Sequence, residues 1–211
     1  MALDLEEQEQ IAELKQFWTQ YGKLIIACVV LALAAFGGMK GWKHYRATQA
    51  GEASALYVKL QEGVRKNDVA EIQKLGAQLV DQYGATAYGP MAALALAKSE
   101  YENGKAGVAA DRLRWVIDNA HDEEIVALAS LRLAGIRVEE KKFDDALKLL
   151  DTQHGAALET LFSDLRGDAL LAQGKIAEAR AAYRLAVEKG LPNSSYRNVV
   201  QIKLDALGSG T

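Results

Sequence analysis

A pair of residues, one small and one bulky, recurs three times in the second half of the chain, each time shortly after a turn. A small residue lets two crossing helices approach closely, and a bulky apolar residue four positions later fills the groove beside it. The spacing therefore predicts tandem pairs of antiparallel helices. The residue pairs, at intervals of 37 and 33 residues, are Ala109 and Leu113, Ala146 and Leu150, and Ala179 and Tyr183.

The rest of the sequence favours helices as well. The chain has only two prolines, and residues of high helix propensity are frequent. No run alternates apolar and polar residues with β-branched enrichment, so strands are not expected. We predict an all-α fold whose helices cover residues 43–66, 68–83, 87–102, 105–119, 122–139, 143–151, 157–172, 175–189 and 194–206.

An uncharged stretch, residues 24–39, lies near the N-terminus. It is slightly shorter than the ~20 residues that a bilayer-spanning helix needs. Lysine stems and aromatic rings on both sides suit the headgroup region and can supply the missing length. We therefore predict a single transmembrane helix over residues 21–42 and a juxtamembrane helix over residues 43–66. The predicted membrane-anchor residues are Trp18, Tyr21, Lys23, Lys40, Trp42 and Tyr45.

Two alternatives compete with a membrane anchor. A cleaved signal peptide would have a basic leader, whereas the leader here is acidic and the basic residues follow the stretch. A buried core helix would rarely carry charged and aromatic residues at both ends. The count of Lys and Arg is two before the stretch and three after it, which leans slightly toward a cytoplasmic C-terminal side.

The net charge of −3 belongs entirely to the N-terminal tail, because residues 40–211 are neutral in sum. A neutral domain is a poor partner for nucleic acid. Residues 1–20 form an acidic tail with an amphipathic helical stripe. This tail either contacts a basic surface of another protein or is a solvated leader.

No pattern of catalytic, cofactor-binding or metal-binding residues is present. The three histidines, His44, His121 and His154, form neither a zinc motif nor a triad, and the latter two are expected to be solvated at turns. The single cysteine excludes an internal disulfide and a thiolate metal cluster. We predict that the chain is not an enzyme and needs no cofactor.

Two helix faces are candidates for binding a peptide or a partner helix. If the repeats align, both faces line the concave groove of the stack. A hydrated helix face without a partner is the alternative. The candidate residues are Met91, Leu94, Lys98 and Tyr101 on the first face, and Leu161, Asp164, Asp168 and Leu171 on the second.

The third copy resembles the tetratricopeptide repeat over about 34 residues. The other two copies match in part, since Ala97 and Ala134 replace a first-helix glycine and Lys141 replaces the turn glycine. An upstream pair at residues 47–83 has the length but a weak signature and is expected to cap the stack. The resemblance implies a tetratricopeptide-like solenoid over residues 67–207, with a frayed C-terminus at 208–211. The matching residues of the third copy are Gly167, Gly174, Ala179, Tyr183, Ala186 and, one position late, Pro192.

The whole architecture resembles the YfgM family of bacterial inner-membrane proteins. The most specific parts are the uncharged stretch with its flanks, including Gly41, Trp42 and Tyr45, and the segment Asp164–Lys175. The resemblance implies a single-pass anchor with the N-terminus in the cytoplasm and the repeat domain in the periplasm, against the slight lean of the charge count. It also implies an ancillary subunit of the SecYEG translocon that works beside a membrane-anchored prolyl-isomerase-like chaperone.

The resulting hypothesis is a non-enzymatic scaffold that assists the folding of translocated proteins and meets nascent secreted proteins. The alternative is a membrane-tethered regulatory module whose cytoplasmic tail binds a stress-response regulator.

Overall fold

A computed structural model describes residues 2–208 of the chain, apart from the side chains at 2–9, 24, 25 and 27–29. Except for Gly208, the predicted frayed C-terminus lies outside the described residues. Within the described part the chain forms nine α-helices and no strand, which confirms the all-α prediction. The helices are α1 (Ala2–Lys66), α2 (Val69–Tyr83), α3 (Tyr88–Glu102), α4 (Ala106–Asn119), α5 (Glu123–Glu139), α6 (Phe143–Leu149), α7 (Glu159–Ala172), α8 (Ile176–Lys189) and α9 (Ser195–Ala206).

Helices α2 to α9 begin and end within two residues of the predicted bounds. The N-terminal part differs, because α1 runs without interruption through the predicted tail, transmembrane and juxtamembrane segments. The first proline of the chain is Pro90, so no residue before it lacks the backbone N–H that continues a helix.

In the portion of the chain that the structure describes, no helix is both long and apolar enough to cross a membrane. The prediction of a transmembrane helix over residues 21–42 is therefore not supported by the structure. The side chains at 24, 25 and 27–29 of this segment lie outside the described residues.

The chain divides into two compact units, Met1–Gln49 and Ala50–Thr211. The second unit contains the end of α1 and all later helices. Ala53 and Leu60 are fully buried in the same core cluster as Ile72 and Leu79 of α2. The last turns of α1 are therefore part of the repeat core.

Four turns of the second unit share one backbone geometry. In each turn one residue has a left-handed φ, and the next amide donates to the carbonyl five residues earlier, as in a Schellman motif. The left-handed residues are Asn67 (55°), Gly104 (77°), Lys141 (60°) and Gly174 (77°). The unit therefore contains four helix pairs, and the upstream pair with the weak signature is a full copy.

In the last helix pair the small residue of the first helix meets the bulky residue of the second. Gly167 makes room for Tyr183, because a Cβ atom at Gly167 would lie 2.4 Å from Cε1 of that ring. The first pair inverts the sizes, with Leu60 in the first helix and Gly76 in the second. A Cβ atom at Gly76 would lie 2.6 Å from Cγ of Leu96, which fills this space from α3.

From α2 to α9 each helix packs against its neighbour in sequence, and the first helices of successive pairs also touch: α3 contacts α5, and α5 contacts α7. We call the side that these three helices line the inner face. The predicted candidate residues belong to the two outer helices of this row.

Replacement of Lys141 by glycine should stabilise the chain. A side chain in the left-handed region costs about 1 kcal/mol, which glycine avoids. We expect Lys141→Gly to raise the free energy of unfolding by about 0.5–1 kcal/mol in urea denaturation followed by circular dichroism. Gly174→Ala, at the equivalent position, should lower it by about 1 kcal/mol. A lower stability of Lys141→Gly would contradict this reading of the turn.

Candidate binding groove and the α7–α9 cluster

A groove of about 390 Å³ opens between α3 and α5 on the inner face. We call it the Gly135 groove. Its floor is apolar and consists of Ala97, Leu113 and Ile136. Its rim carries polar groups from both helices, namely Lys98, Tyr101, Arg132 and Glu139.

Gly135 creates the open space of the groove. It lies 37 residues after Lys98 and 33 before Asp168, so the three residues hold equivalent positions in successive pairs. A Cβ atom at Gly135 would meet no described atom within 4 Å. A glycine inside a helix costs about 0.5–1 kcal/mol relative to alanine. The packing of the helices does not require a glycine at this position. Because Gly135 has no side chain, the groove beside it stays open.

The rim of the groove has both free and engaged polar groups. Arg132 donates from Nη1 to the carbonyl of Leu94 at 3.3 Å, and desolvation by burial lowers the pKa of Arg132. The Tyr101 hydroxyl donates to the Glu139 carboxylate, and this hydrogen bond raises the pKa of Tyr101. Lys98 lies 3.8 Å from Glu102 in an exposed pair. Such an exposed pair contributes little.

Only two of the four candidate residues on α3 face the Gly135 groove. Lys98 and Tyr101 line it, whereas Leu94 is 6% exposed and belongs to the core. Met91 lines a separate cavity of about 310 Å³, formed with the loops before α3 and before α5. The structure therefore does not bring the four residues together at one surface.

The two candidate carboxylates on α7 are engaged by α9. Lys203 places Nζ 2.8 Å from Oδ1 of Asp164 and 2.8 Å from Oδ2 of Asp168. The Tyr196 hydroxyl donates to Asp164 at 2.6 Å, and the Tyr183 hydroxyl donates to Asp168 at 2.7 Å. We call these five residues the α7–α9 cluster.

The cluster shifts the pKa of its members. Burial raises the pKa of both Tyr183 and Tyr196, and the hydrogen bonds to the carboxylates raise it further. Burial alone would lower the pKa of Lys203, but the hydrogen bonds to Asp164 and Asp168 outweigh it, so the net shift is upward. The cluster therefore holds a protonated lysine between two carboxylates.

The remaining candidates on α7 lie beside this cluster. Leu161 is half-buried and Leu171 is exposed. Because α9 already occupies both carboxylates, this face contains an internal contact of the chain. Lys203 follows Tyr196 by seven residues, or two helical turns, so the two side chains lie on one face of α9. This spacing is a signal for the contact that the sequence contains.

Six of the eight groove residues are not among the predicted site residues, and they include Arg132, Gly135 and Glu139 of α5. The candidates come from the pairs that begin with α3 and α7, and the pair that begins with α5 lies between them. Adding the interval of 37 residues to Lys98 leads to Gly135. The repeat register is therefore a signal for the groove.

The six predicted membrane-anchor residues are all exposed in the first unit. Trp42 and Tyr45 lie near each other, with ring centroids 6.1 Å apart. The guanidinium of Arg46 lies 5.5 Å from the Trp42 ring centroid. These contacts form a cationic and aromatic collar after the uncharged stretch.

The expectation of a solvated His154 is wrong, because this ring is half-buried and stacks on Phe162 with centroids 3.8 Å apart. Its Nδ1 lies 2.7 Å from the Thr152 carbonyl, and its Nε2 lies 3.2 Å from Glu159. These contacts give His154 a packing role. Among the residues searched in the described part, no three His, Cys, Asp or Glu side chains form a group that could hold a metal ion.

Known proteins are similar to this chain over most of its length. A family model described as a tetratricopeptide repeat-like domain matches residues 15–209. A protein of Neisseria gonorrhoeae is 34% identical over 208 residues, which cover 98% of this chain and 100% of the relative. A protein of Escherichia coli is 30% identical over 205 residues, which cover 95% and 96%. A protein of Haemophilus influenzae is 28% identical over 190 residues, which cover 90% and 93%.

All three relatives carry the name ancillary SecYEG translocon subunit. The four turns of one geometry and the buried small and bulky residues of the repeat agree with the matched family model. The chain therefore belongs to the tetratricopeptide repeat-like domain family and, within it, to the family of the ancillary SecYEG translocon subunits.

Proposed function

We propose that this chain is an ancillary subunit of a SecYEG translocon and that its repeat domain is a non-enzymatic scaffold for protein interactions. The observation that carries the proposal is the similarity to a relative of that name over 98% of the chain. A stack of helix pairs supports it physically, because such stacks present an extended surface to other proteins.

We further propose that residues 21–42 anchor the chain as a single-pass membrane helix. The apolar side chains of α1 that the structure describes in this region include strongly exposed ones, for example Leu31 at 69% and Phe36 at 67%. A contiguous exposed apolar surface favours an apolar environment. Because the uncharged stretch is short, the anchor depends on Lys23 and Lys40 reaching the headgroups on either side.

The proposed orientation places residues 1–20 in the cytoplasm and the repeat domain in the periplasm of the bacterial inner membrane. Its support is the resemblance to the YfgM family. In this arrangement the scaffold brings a membrane-anchored prolyl-isomerase-like chaperone to SecYEG and assists the folding of translocated proteins. Confinement to the membrane raises the effective concentration of the domain near its partners.

Affinity co-purification tests the proposed association. We expect the tagged full chain, extracted gently from native membranes, to recover SecY, SecE and SecG well above the level found with an unrelated single-span protein. Deletion of residues 1–20 should leave this recovery unchanged, whereas a regulatory module that acts through its tail would lose its partner. Recovery of no translocon subunit from native and crosslinked membranes alike would contradict the proposal.

A further inference from the structure

The Gly135 groove is a binding site whose ligand can be described by its chemistry. We propose that it binds a segment of a partner protein in which an aliphatic or aromatic side chain lies next to an Asp or Glu. The apolar side chain enters the space over Gly135, and the carboxylate pairs with Arg132. The inference rests on the proposed scaffold function and states which kind of segment the scaffold holds.

The shape of the groove fits an apolar side chain. Its volume of about 390 Å³ lies within the range of small-ligand pockets. Its floor of Ala97, Leu113 and Ile136 offers no polar side-chain group to a bound water. Entry of an apolar side chain therefore releases poorly bound water from an apolar surface.

Three glycines differ in the space that surrounds an added Cβ atom. At Gly76 and Gly167 an added Cβ atom would collide with a neighbouring side chain, at 2.6 Å and 2.4 Å. These two glycines are therefore required by the packing of the helices. At Gly135 the added atom would meet no described atom within 4 Å, so the open space there is available to a ligand.

One cation on the rim, Arg132, favours an acidic group in the ligand. No described carboxylate lies within ion-pair distance of Arg132, whereas Arg166 lies 2.8 Å from Asp151. A guanidinium has five N–H donors, and the contact of Arg132 with the Leu94 carbonyl uses only Nη1. At the other end of the rim the Glu139 carboxylate accepts from Tyr101. Glu139 keeps its negative charge in this hydrogen bond, and it lies seven residues, about two helical turns, from Arg132 on α5. The cation available to a ligand carboxylate is therefore Arg132.

Selection from a library of short random peptides displayed on phage tests the inference. The bait is the full chain in lipid nanodiscs, and the selected peptides are assayed against two variants. We expect selected peptides to combine an aliphatic or aromatic residue with a neighbouring Asp or Glu. Gly135→Leu fills the groove and should weaken their binding at least about tenfold. Gly107→Leu is the matched control, because Gly107 also lies in a helix with no described atom near its Cβ position, and it should bind as the original chain does.

A second measurement isolates the carboxylate. Replacement of the peptide Asp or Glu by its amide should weaken binding about tenfold, and so should Arg132→Gln in the chain. The amide peptide should bind the Arg132→Gln variant only slightly more weakly than either change alone would give, because both changes remove the same ion pair. Thermal unfolding of each variant verifies its fold, and Arg132→Gln keeps the test valid if Gly135→Leu fails to fold.

Three outcomes overturn the inference: selection of no peptide, equal binding by the original chain and by a folded Gly135→Leu variant, or selected peptides without acidic residues. Co-purification of SecYEG with the same variants is scored in parallel. If SecYEG still co-purifies but the peptide selection fails, only the binding role of the groove is refuted. If SecYEG does not co-purify with the original chain, the proposed function is refuted.

Discussion

We expect Gly167→Ala to lower the free energy of unfolding by about 2–3 kcal/mol, because overpacking of a dense core costs this much. The added Cβ atom would lie 2.4 Å from Cε1 and 2.5 Å from Cδ1 of Tyr183. The ring has little room to move, since Tyr183 is 1% exposed and its hydroxyl is bonded to Asp168. Urea denaturation of the full chain in detergent, followed by circular dichroism, measures this loss.

Two variants accompany this measurement. Gly107→Ala is the control, because the added Cβ atom meets no neighbouring side chain or helix within 4 Å and should not lower the free energy of unfolding. Gly167→Ala combined with Tyr183→Leu recreates the pair formed by Ala134 and Leu150 in the preceding copy, so it should recover much of the packing loss. Full stability of Gly167→Ala alone would show that this contact does not determine the packing of α7 on α8.

Lys203→Met should also destabilise the chain by about 2–3 kcal/mol, since it leaves two close carboxylates without their cation. The Lys203 ammonium bonds both Asp164 and Asp168, and Asp164 is 5% exposed. Without the ammonium, the two carboxylates repel each other and retain only the tyrosine hydroxyls. The same denaturation assay measures the loss in free energy of unfolding. We expect α9 to detach from α7 more readily in this variant.

Lys148→Met is the control for this variant. Lys148 and Asp145 form an ion pair at 3.9 Å whose side chains are 79% and 59% exposed, and removal of such a pair should cost at most about 0.5 kcal/mol. Similar losses for the two lysine variants would contradict the assignment of the α7–α9 cluster as a stabilising contact.

The helices could be predicted from the sequence because their determinants are local. Asn67, Gly104 and Gly174 mark the turns with residues that tolerate a left-handed φ, and apolar residues recur at helical spacing between them. Lys141 has the same left-handed φ, but lysine is not a residue type that predicts this conformation.

The functional surfaces could be predicted only in part because they depend on contacts between distant segments. The sequence of α7 alone suggests that Asp164 and Asp168 are free to bind a partner. In the structure Lys203 of α9 binds both carboxylates. The Gly135 groove needs the register of α5 against α3, 37 residues apart in sequence. Changes in charge suggested the borders between the predicted tail, transmembrane and juxtamembrane segments of α1. These borders are not helix ends, because a charged side chain does not interrupt backbone hydrogen bonding.

The membership of this chain in a translocon is tested most directly with purified components. The full chain and purified SecYEG are reconstituted together into lipid nanodiscs, and the composition of individual discs is measured by two-colour single-molecule fluorescence. If the chain is a translocon subunit, we expect co-occupancy well above the random level set by an unrelated single-span protein at the same density. Random co-occupancy, with both proteins shown to be folded, would contradict it.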